Sequence, residues 1–261
     1  MGQMYQLSLP VLFGLFIGFG LIFYGVGRLA LYGLSRHAAR DNLSIPQAAY
    51  LGTIATAWAL SLGFIAADIW SVNGRADHAT SLERSAISHM LRSAEPDVLD
   101  SPRLAESVET YRRNVAVREW LEGKNVATDS EVEKALRDIS GEIARLARAN
   151  APSVLVSQTV HDFNDLQDAR NLRLAVGNTS IDYYKWYLVI FLTLLTAITI
   201  AATHADRPRA ARRALGIYAV TASISLWILA IHANPYVGLE ELHPSLLYTN
   251  HKNTGFAFDA P

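Results

Sequence analysis

The chain contains no cysteine, which excludes disulfides, thiol nucleophiles and thiolate metal sites and leaves the redox compartment open. It also lacks a Gly-rich phosphate loop, a Gly-x-Ser-x-Gly nucleophile elbow and a His-Glu-x-x-His helix. No segment alternates apolar and polar residues as a strand does, and no repeat of fixed period or low-complexity tract occurs. Charge of one sign is missing as well. With 23 basic and 24 acidic residues the net charge is −1, which argues against a nucleic-acid partner. These absences exclude the common enzyme signatures, and the chain is read as neither an enzyme nor a cofactor binder.

What is present is apolar sequence gathered into blocks. Half of the 261 residues are hydrophobic, and they collect near 7–34, 50–70, 183–203 and 214–233, with most charges in the stretch between. A spanning helix needs about 20 mainly apolar residues, since each rises about 1.5 Å through a core of about 30 Å. All four blocks satisfy this. The first, Leu7 to Tyr32, carries only Arg28, and with no Lys or Arg before it and too long a run it is not a cleaved signal peptide. Its Gly14-x-x-x-Gly18 spacing is a packing motif that allows close helix approach. The second runs from Tyr50 to Trp70. The third is entered through Tyr183, Tyr184, Trp186 and Tyr187, an interfacial aromatic belt. The fourth stops at Asn234-Pro235, because proline cannot continue the helix. The fold expected is all-α, a polytopic membrane protein with four transmembrane helices and a helical extramembrane domain between spans two and three. The boundaries are 1–70 for spans one and two, 71–182 for the extramembrane bundle, 183–233 for spans three and four, and 234–261 for the tail.

Basic residues in short loops set orientation. Arg36 and Arg40 follow span one, with Arg28 close by near its end, and Arg207, Arg209, Arg212 and Arg213 join spans three and four. The segment before span one has no basic residue and the tail only Lys252. The basic loops are therefore expected in the cytoplasm. That places both termini and the central domain outside a cell inner membrane, in the periplasm of a Gram-negative host.

Residues 71–182 read as amphipathic helices. Val132, Leu136, Ile139, Ile143 and Leu146 form one helical stripe, started by a Ser130/Glu133 capping box. A helix beginning at Pro102 after Ser101 aligns Leu104, Val108, Tyr111 and Val115. A segment near 75–93 aligns Ala79, Leu82, Ala86 and Met90, and one near 153–176 aligns Val156, Val160 and Phe163. The first and last of these adjoin spans two and three and can continue them as stalks. The tail after His251 has no periodicity and is expected to be extended or disordered unless a partner holds it.

Few residues invite chemistry. The eight histidines include no i, i+4 pair of the kind that binds metal on a helix. His232, at the end of span four beside Asn234 and Pro235, reads as an interfacial hydrogen bonder or a ligand, with the first favoured. Asp68 near the end of span two is an ionisable group that faces either solvent or a cavity. Asp162, Asp165, Asp168, Arg170 and Arg173 crowd one helix and read as a solvated face, with i, i+4 pairing along it.

Several local motifs together resemble the bacterial bestrophin-like membrane proteins. Gly63-Phe64 with Trp70 after it, then Glu83 near Ala86, resembles the exit from that family's second span. Tyr111, Val115, Glu119 and Trp120 resemble its Tyr…Val…Glu-Trp signature, and Asp168, Arg170 and Arg173 its Asp-x-Arg-x-x-Arg stretch. Asn234-Pro235-Tyr236-Val237-Gly238 with Pro244 resembles its segment after span four, so the likeness extends over about 50–247. It implies a homo-oligomeric ion channel or pore, in which Trp58, Phe64, Ile65 and Ile69, with Asp68, are candidates for a span-two constriction that gates by dewetting. Glu119, Trp120, Asp168, Arg170 and Arg173 become candidates in the extramembrane domain, chiefly as residues that hold its helices together. Bestrophins keep their large helical region in the cytosol, whereas the arginines here favour the other side. The alternative reading is a non-catalytic accessory subunit of a larger membrane complex. The partners expected are membrane lipid and either further copies of the chain or that complex.

Overall fold

The computed structural model describes residues 9–41, 48–179, 183–237 and 242–248. The aperiodic tail after His251, Gly238, and the side chains of His37 and Arg40 lie outside the described residues. The described chain is helical, with no strand: α1 (Leu9–Asp41), α2 (Ala48–Ser93), α3 (Pro102–Asn114) continued by a π-helical turn (Val115–Glu122), α4 (Ser130–Arg148), α5 (Ser153–Gly177), α6 (Tyr183–Thr203), α7 (Pro208–Ile231), and a final 3-10 turn (Pro244–Leu247). Four of these, α1, α2, α6 and α7, are long and apolar enough to cross a membrane. The chain divides into two compact units, residues 1–71 with 181–233 and residues 72–180 with 234–261.

In the first unit α1 packs against both α6 and α7. Two close approaches fix the α1–α7 crossing: a Cβ on Gly20 would meet Ser223 Oγ at 2.3 Å, and one on Gly27 would meet Leu215 Cδ2 at 2.6 Å. The pairs 20/223 and 27/215 make the two helices antiparallel. The Gly14-x-x-x-Gly18 pair expected to pack does not do so within the chain, since a Cβ at either position meets nothing within 4 Å. Phe16, Phe23, Ile65, Ile69, Trp186, Val189 and Leu226 form the core of this unit. Thr193, Thr196 and Thr199 on α6 are buried, and their hydroxyls donate to carbonyls four residues back at 2.7, 2.7 and 2.8 Å. These three buried hydroxyls are thus paired where water is scarce.

In the second unit the stripe Val132, Leu136, Ile139, Ile143 and Leu146 is buried throughout, as are Leu104, Val108, Tyr111 and Val115 on α3. Pro102 opens α3 directly after Ser101. Three expectations are corrected. The cap of α4 is Asp129, whose carboxylate accepts from the Glu131 amide at 2.8 Å. Glu133 is thereby released to pair with Arg170 at 2.9 Å. The segment near 75–93 does continue span two, as the second half of one 46-residue helix, but its Leu82 is exposed rather than turned inward with Ala79, Ala86 and Met90. The largest reversal is α5, where Val160 is exposed while Thr159, Asp162, Arg170 and Arg173 are buried with Leu166 and Ala169. A helix normally buries its apolar face. Here two carboxylates facing α5 invert the preference.

Candidate functional site

The sequence of α5 puts Arg170 and Arg173 three residues apart, on one face of the helix. Facing them are Glu83 from α2 and Glu119 from the π-helical turn, and all four side chains are buried. Arg173 is wholly enclosed. Its Nε donates to Glu83 Oε2 at 2.6 Å, and its Nη2 donates to Glu83 Oε1 at 3.1 Å and to Glu119 Oε2 at 2.9 Å. Nη1 donates to Asn125 Oδ1. Arg170 Nη2 donates to Glu119 Oε1 at 2.5 Å, and its Nη1 reaches Glu133 at 2.9 Å. The Tyr111 hydroxyl donates to Glu83 Oε1 at 2.6 Å, and the Asp129 amide donates to Glu119 Oε1 at 3.2 Å. Two buried guanidinium groups thus face two buried carboxylates, with the partly exposed Glu133 as a third acidic partner.

Backbone irregularity delivers these groups. Over Val115–Glu122 the helix widens to a π-turn, a rare local form that re-aims side chains. Glu119 and Trp120 both turn inward there. Lys124 and Asn125 then take positive φ values of 50° and 56°, folding the chain back so that the Asn125 amide donates to Glu119 O at 2.7 Å. The Asn125 carbonyl lies so close to α5 that a Cβ on Gly177 would sit 1.9 Å from it. Glycine is required there by contact rather than by conformation. Trp120 closes the cluster: the Arg173 guanidinium carbon is 5.4 Å from its ring centroid. Its Nε1 donates to Leu242 O at 2.7 Å, and Tyr236 packs edge-on against it at 5.6 Å. Trp120 therefore ties residues after α7 to the helical bundle.

The electrostatics follow from the geometry. Burial opposes charge on Glu119, but the Arg170 hydrogen bond and the Arg173 and Arg170 charges outweigh it and hold its carboxyl below the usual range. Burial likewise opposes charge on Arg173, and the Glu83 charge and hydrogen bond more than restore it. Burial, followed by the Glu83 charge, pushes the Tyr111 phenol well up, so it remains a donor. Every carboxylate oxygen of Glu83 and Glu119 already accepts at least one hydrogen bond. The carboxylates are thus committed to partners within the chain, and no three His, Asp or Glu side chains gather to hold a metal among the described residues. The cluster acts as a lock between α2, the π-turn and α5.

Of the residues singled out from sequence, Glu119, Trp120, Arg170 and Arg173 converge here. Asp168 does not. It is exposed, and Asp165 pairs with His161 at 3.3 Å rather than with an arginine. The solvated-face reading thus fails for Asp162, Arg170 and Arg173 and holds for Asp165 and Asp168. Glu83, Tyr111 and Asn125 complete the lock. Glu83 and Tyr111 stood in the motifs, but nothing in their spacing indicated that they meet. On span two, Ile65 and Ile69 are buried in their own chain's core, and Phe64 is 69% exposed. Trp58 Nε1 donates to Thr193 Oγ1 at 2.9 Å, and Asp68 forms an ion pair with Lys185. At the end of α7, His232 Nδ1 lies 2.9 Å from Ile228 O, and Asn234 Oδ1 accepts from the Tyr236 amide at 2.9 Å. Pro235 is buried and its carbonyl accepts from the Leu242 amide at 2.8 Å.

A family model described as a bestrophin-like domain matches residues 11–245. A search of curated protein sequences gives no significant match. Among solved structures, a crystal structure of a membrane protein bearing a proline-to-alanine substitution superposes with a TM-score of 0.74 at 12% identity, covering 90% of this chain and 95% of that one. A bacterial bestrophin homologue from Klebsiella pneumoniae bearing an isoleucine-to-threonine substitution gives 0.70 at 13% identity, covering 90% and 97%. The same homologue phased with zinc gives 0.70 at 13%, covering 89% and 94%. At such identities the likeness is one of fold. The family model, which spans nearly the whole chain, makes this protein a member of the bestrophin-like family.

Proposed function

We propose that the chain is a subunit of a homo-oligomeric ion channel, with α2 lining the path. The observation that carries this reading is the poor cover of α2 by its own chain. Only 6% of its most apolar stretch is buried, against 44% in α6. One strip of the helix, through Trp58, Ile65 and Ile69, packs inward. The rest, including Thr53, Thr56, Ala57, Leu60, Gly63, Phe64 and Ala67, is open. A ring of identical subunits is the closed arrangement that would cover such a face and surround a path. Within it Phe64 and Leu60, rather than Ile65 and Ile69, would form the hydrophobic constriction. The Asp68–Lys185 pair would stand near the end of that segment, and family membership supports the same reading.

The helical unit from Val72 onward belongs outside the bilayer in this proposal, between spans two and three. Arg36, Arg40, Arg207, Arg209, Arg212 and Arg213 favour a cytoplasmic placement of their two loops and hence a periplasmic bundle and termini. Because the chain has no cysteine, an Asp138→Cys variant carries a single thiol on the exposed side of α4. Labelling by a membrane-impermeant maleimide in intact cells supports the periplasmic placement, and labelling only after lysis refutes it.

The first test of function is native mass determination after gentle extraction, followed by ion flux through liposomes. A ring of identical chains whose flux rises in Phe64→Ala supports the channel. A fixed stoichiometry with another membrane complex and no flux replaces it with the accessory-subunit reading.

A further inference from the structure

Between α1 and α7 runs an open apolar groove of about 410 Å³. Phe13, Ile17 and Leu21 line it from α1, and Gly216, Val220 and Trp227 from α7. It exists because Gly20 lets the two helices touch at Ser223 while Gly216, on the groove wall, has nothing within 4 Å of where its Cβ would stand. Both helices are long and apolar enough to span a membrane, and in a bilayer the groove opens to lipid. From Phe13 to Tyr24 the rise is about 16 Å, close to one leaflet of a core about 30 Å thick. At the Tyr24 end, one turn further along α1, stands Arg28. It is exposed, its Nη1 donates to the Tyr24 hydroxyl at 3.2 Å, and its guanidinium carbon is 5.8 Å from the Tyr24 ring centroid. A guanidinium has five N–H donors, so four remain for an acceptor at the groove mouth.

An arginine within a span is costly unless it meets a partner or the headgroup layer. The other end of the groove, at Phe13 and Trp227, carries no charge. We propose that this groove holds one acyl chain of an anionic phospholipid, with the lipid phosphate on Arg28. The apolar walls accept either class of lipid tail. Arg28 selects the headgroup, since a phosphate of net negative lipid gains more from a nearby guanidinium than a zwitterionic one. Tyr24 fixes the arginine at the mouth.

The test reconstitutes the full chain in vesicles of equal parts phosphatidylglycerol and phosphatidylcholine with matched acyl chains. The lipids retained after mild detergent release are then counted by native mass spectrometry. Wild type is expected to retain phosphatidylglycerol in excess. Arg28→Gln lowers that excess about five-fold, the equivalent of one basic residue at a lipid surface, and Arg28→Lys keeps most of it. Gly216→Phe fills the groove and lowers retention of both lipids while the folded mass is unchanged. Equal retention of the two lipids by wild type, or an effect of Gly216→Phe with none of Arg28→Gln, overturns the proposal. So does a photo-crosslinker at Val220 that captures a second protein chain in place of lipid.

Discussion

Replacing Arg173 by methionine tests the lock where it is most exposed to failure. The substitution keeps a long unbranched side chain, so the loss of packing volume is small. It removes four hydrogen bonds, to both oxygens of Glu83, to Glu119 and to Asn125. Glu83 is fully buried, and its remaining partner is the neutral Tyr111 hydroxyl. Glu119 keeps Arg170. The variant therefore leaves one buried carboxylate without a counter-charge, a situation that costs about 3–5 kcal/mol when one partner of a buried pair is removed. Since 1.36 kcal/mol is a factor of ten, amide exchange through local opening of α5 should speed up roughly a hundred-fold to several-thousand-fold. Hydrogen–deuterium exchange with mass spectrometry reads this peptide by peptide, so α6 and α7 serve as internal references. Exchange of α5 peptides within ten-fold of wild type would refute the lock. A double variant, Arg173→Met with Glu83→Leu, removes the stranded charge and should recover part of the protection, because a buried pair exchanged for apolar groups is often near neutral.

Trp120→Ala removes a buried indole and its bond to Leu242 O. The expected loss is about 3–5 kcal/mol, read as faster exchange in α3 and in residues 242–248 together. Gly177→Ala forces a methyl group against the Asn125 carbonyl. An overpacked contact of this kind costs about 1–3 kcal/mol, and an unchanged unfolding midpoint would contradict it. Acid should weaken the same region. Against the effect of burial, Arg170 and Arg173 hold the Glu119 carboxyl below the usual carboxylate range, so its contribution is complete above the pKa of the unfolded chain and is lost as pH falls through the lower, folded one. Unfolding midpoints measured from pH 6 to pH 3 should fall most steeply below about pH 4.5, and the slope should be shallower in Glu119→Gln.

Length, apolarity and period made most of the fold legible. The four blocks became α1, α2, α6 and α7, and the 4-3-4-3 stripe of α4 is buried as written. Those signals are local, since each helix states its own period. The lock is not local. Glu83 and Arg173 stand 90 positions apart, and a lone helix carrying Asp162, Asp165, Asp168, Arg170 and Arg173 satisfies a solvated face better than a buried one. Only the opposing carboxylates reverse that preference, and their approach depends on a π-turn and on two left-handed residues that no periodicity announces. The glycines carry the same lesson. Gly14 and Gly18 have the familiar spacing and no neighbour, while Gly20 and Gly27, seven apart, make the contacts.

The exposed surfaces of the spanning helices differ in a way that separates lipid from protein as their cover. On α1 and α7 the open positions include Leu21, Ile22, Leu29, Ile217, Val220 and Ile224, large aliphatic groups that gain nothing by leaving lipid tails. On α2 the large groups Leu60 and Phe64 are open too, but small residues, Thr53, Thr56, Ala57, Gly63 and Ala67, stand among them, and the two threonine hydroxyls donate to carbonyls four residues back at 3.2 and 2.8 Å. Small residues admit a second helix closely, and association in a bilayer depends on that closeness. Gly63 and Gly25 make the comparison sharp, because a Cβ at either meets nothing within 4 Å. Leucine at each position should leave the single chain folded. Gly63→Leu is then expected to shift the native mass toward smaller assemblies, and Gly25→Leu to leave it as in wild type. If the two variants assemble alike, the open face of α2 is covered by lipid, and the path it was assigned to line does not exist.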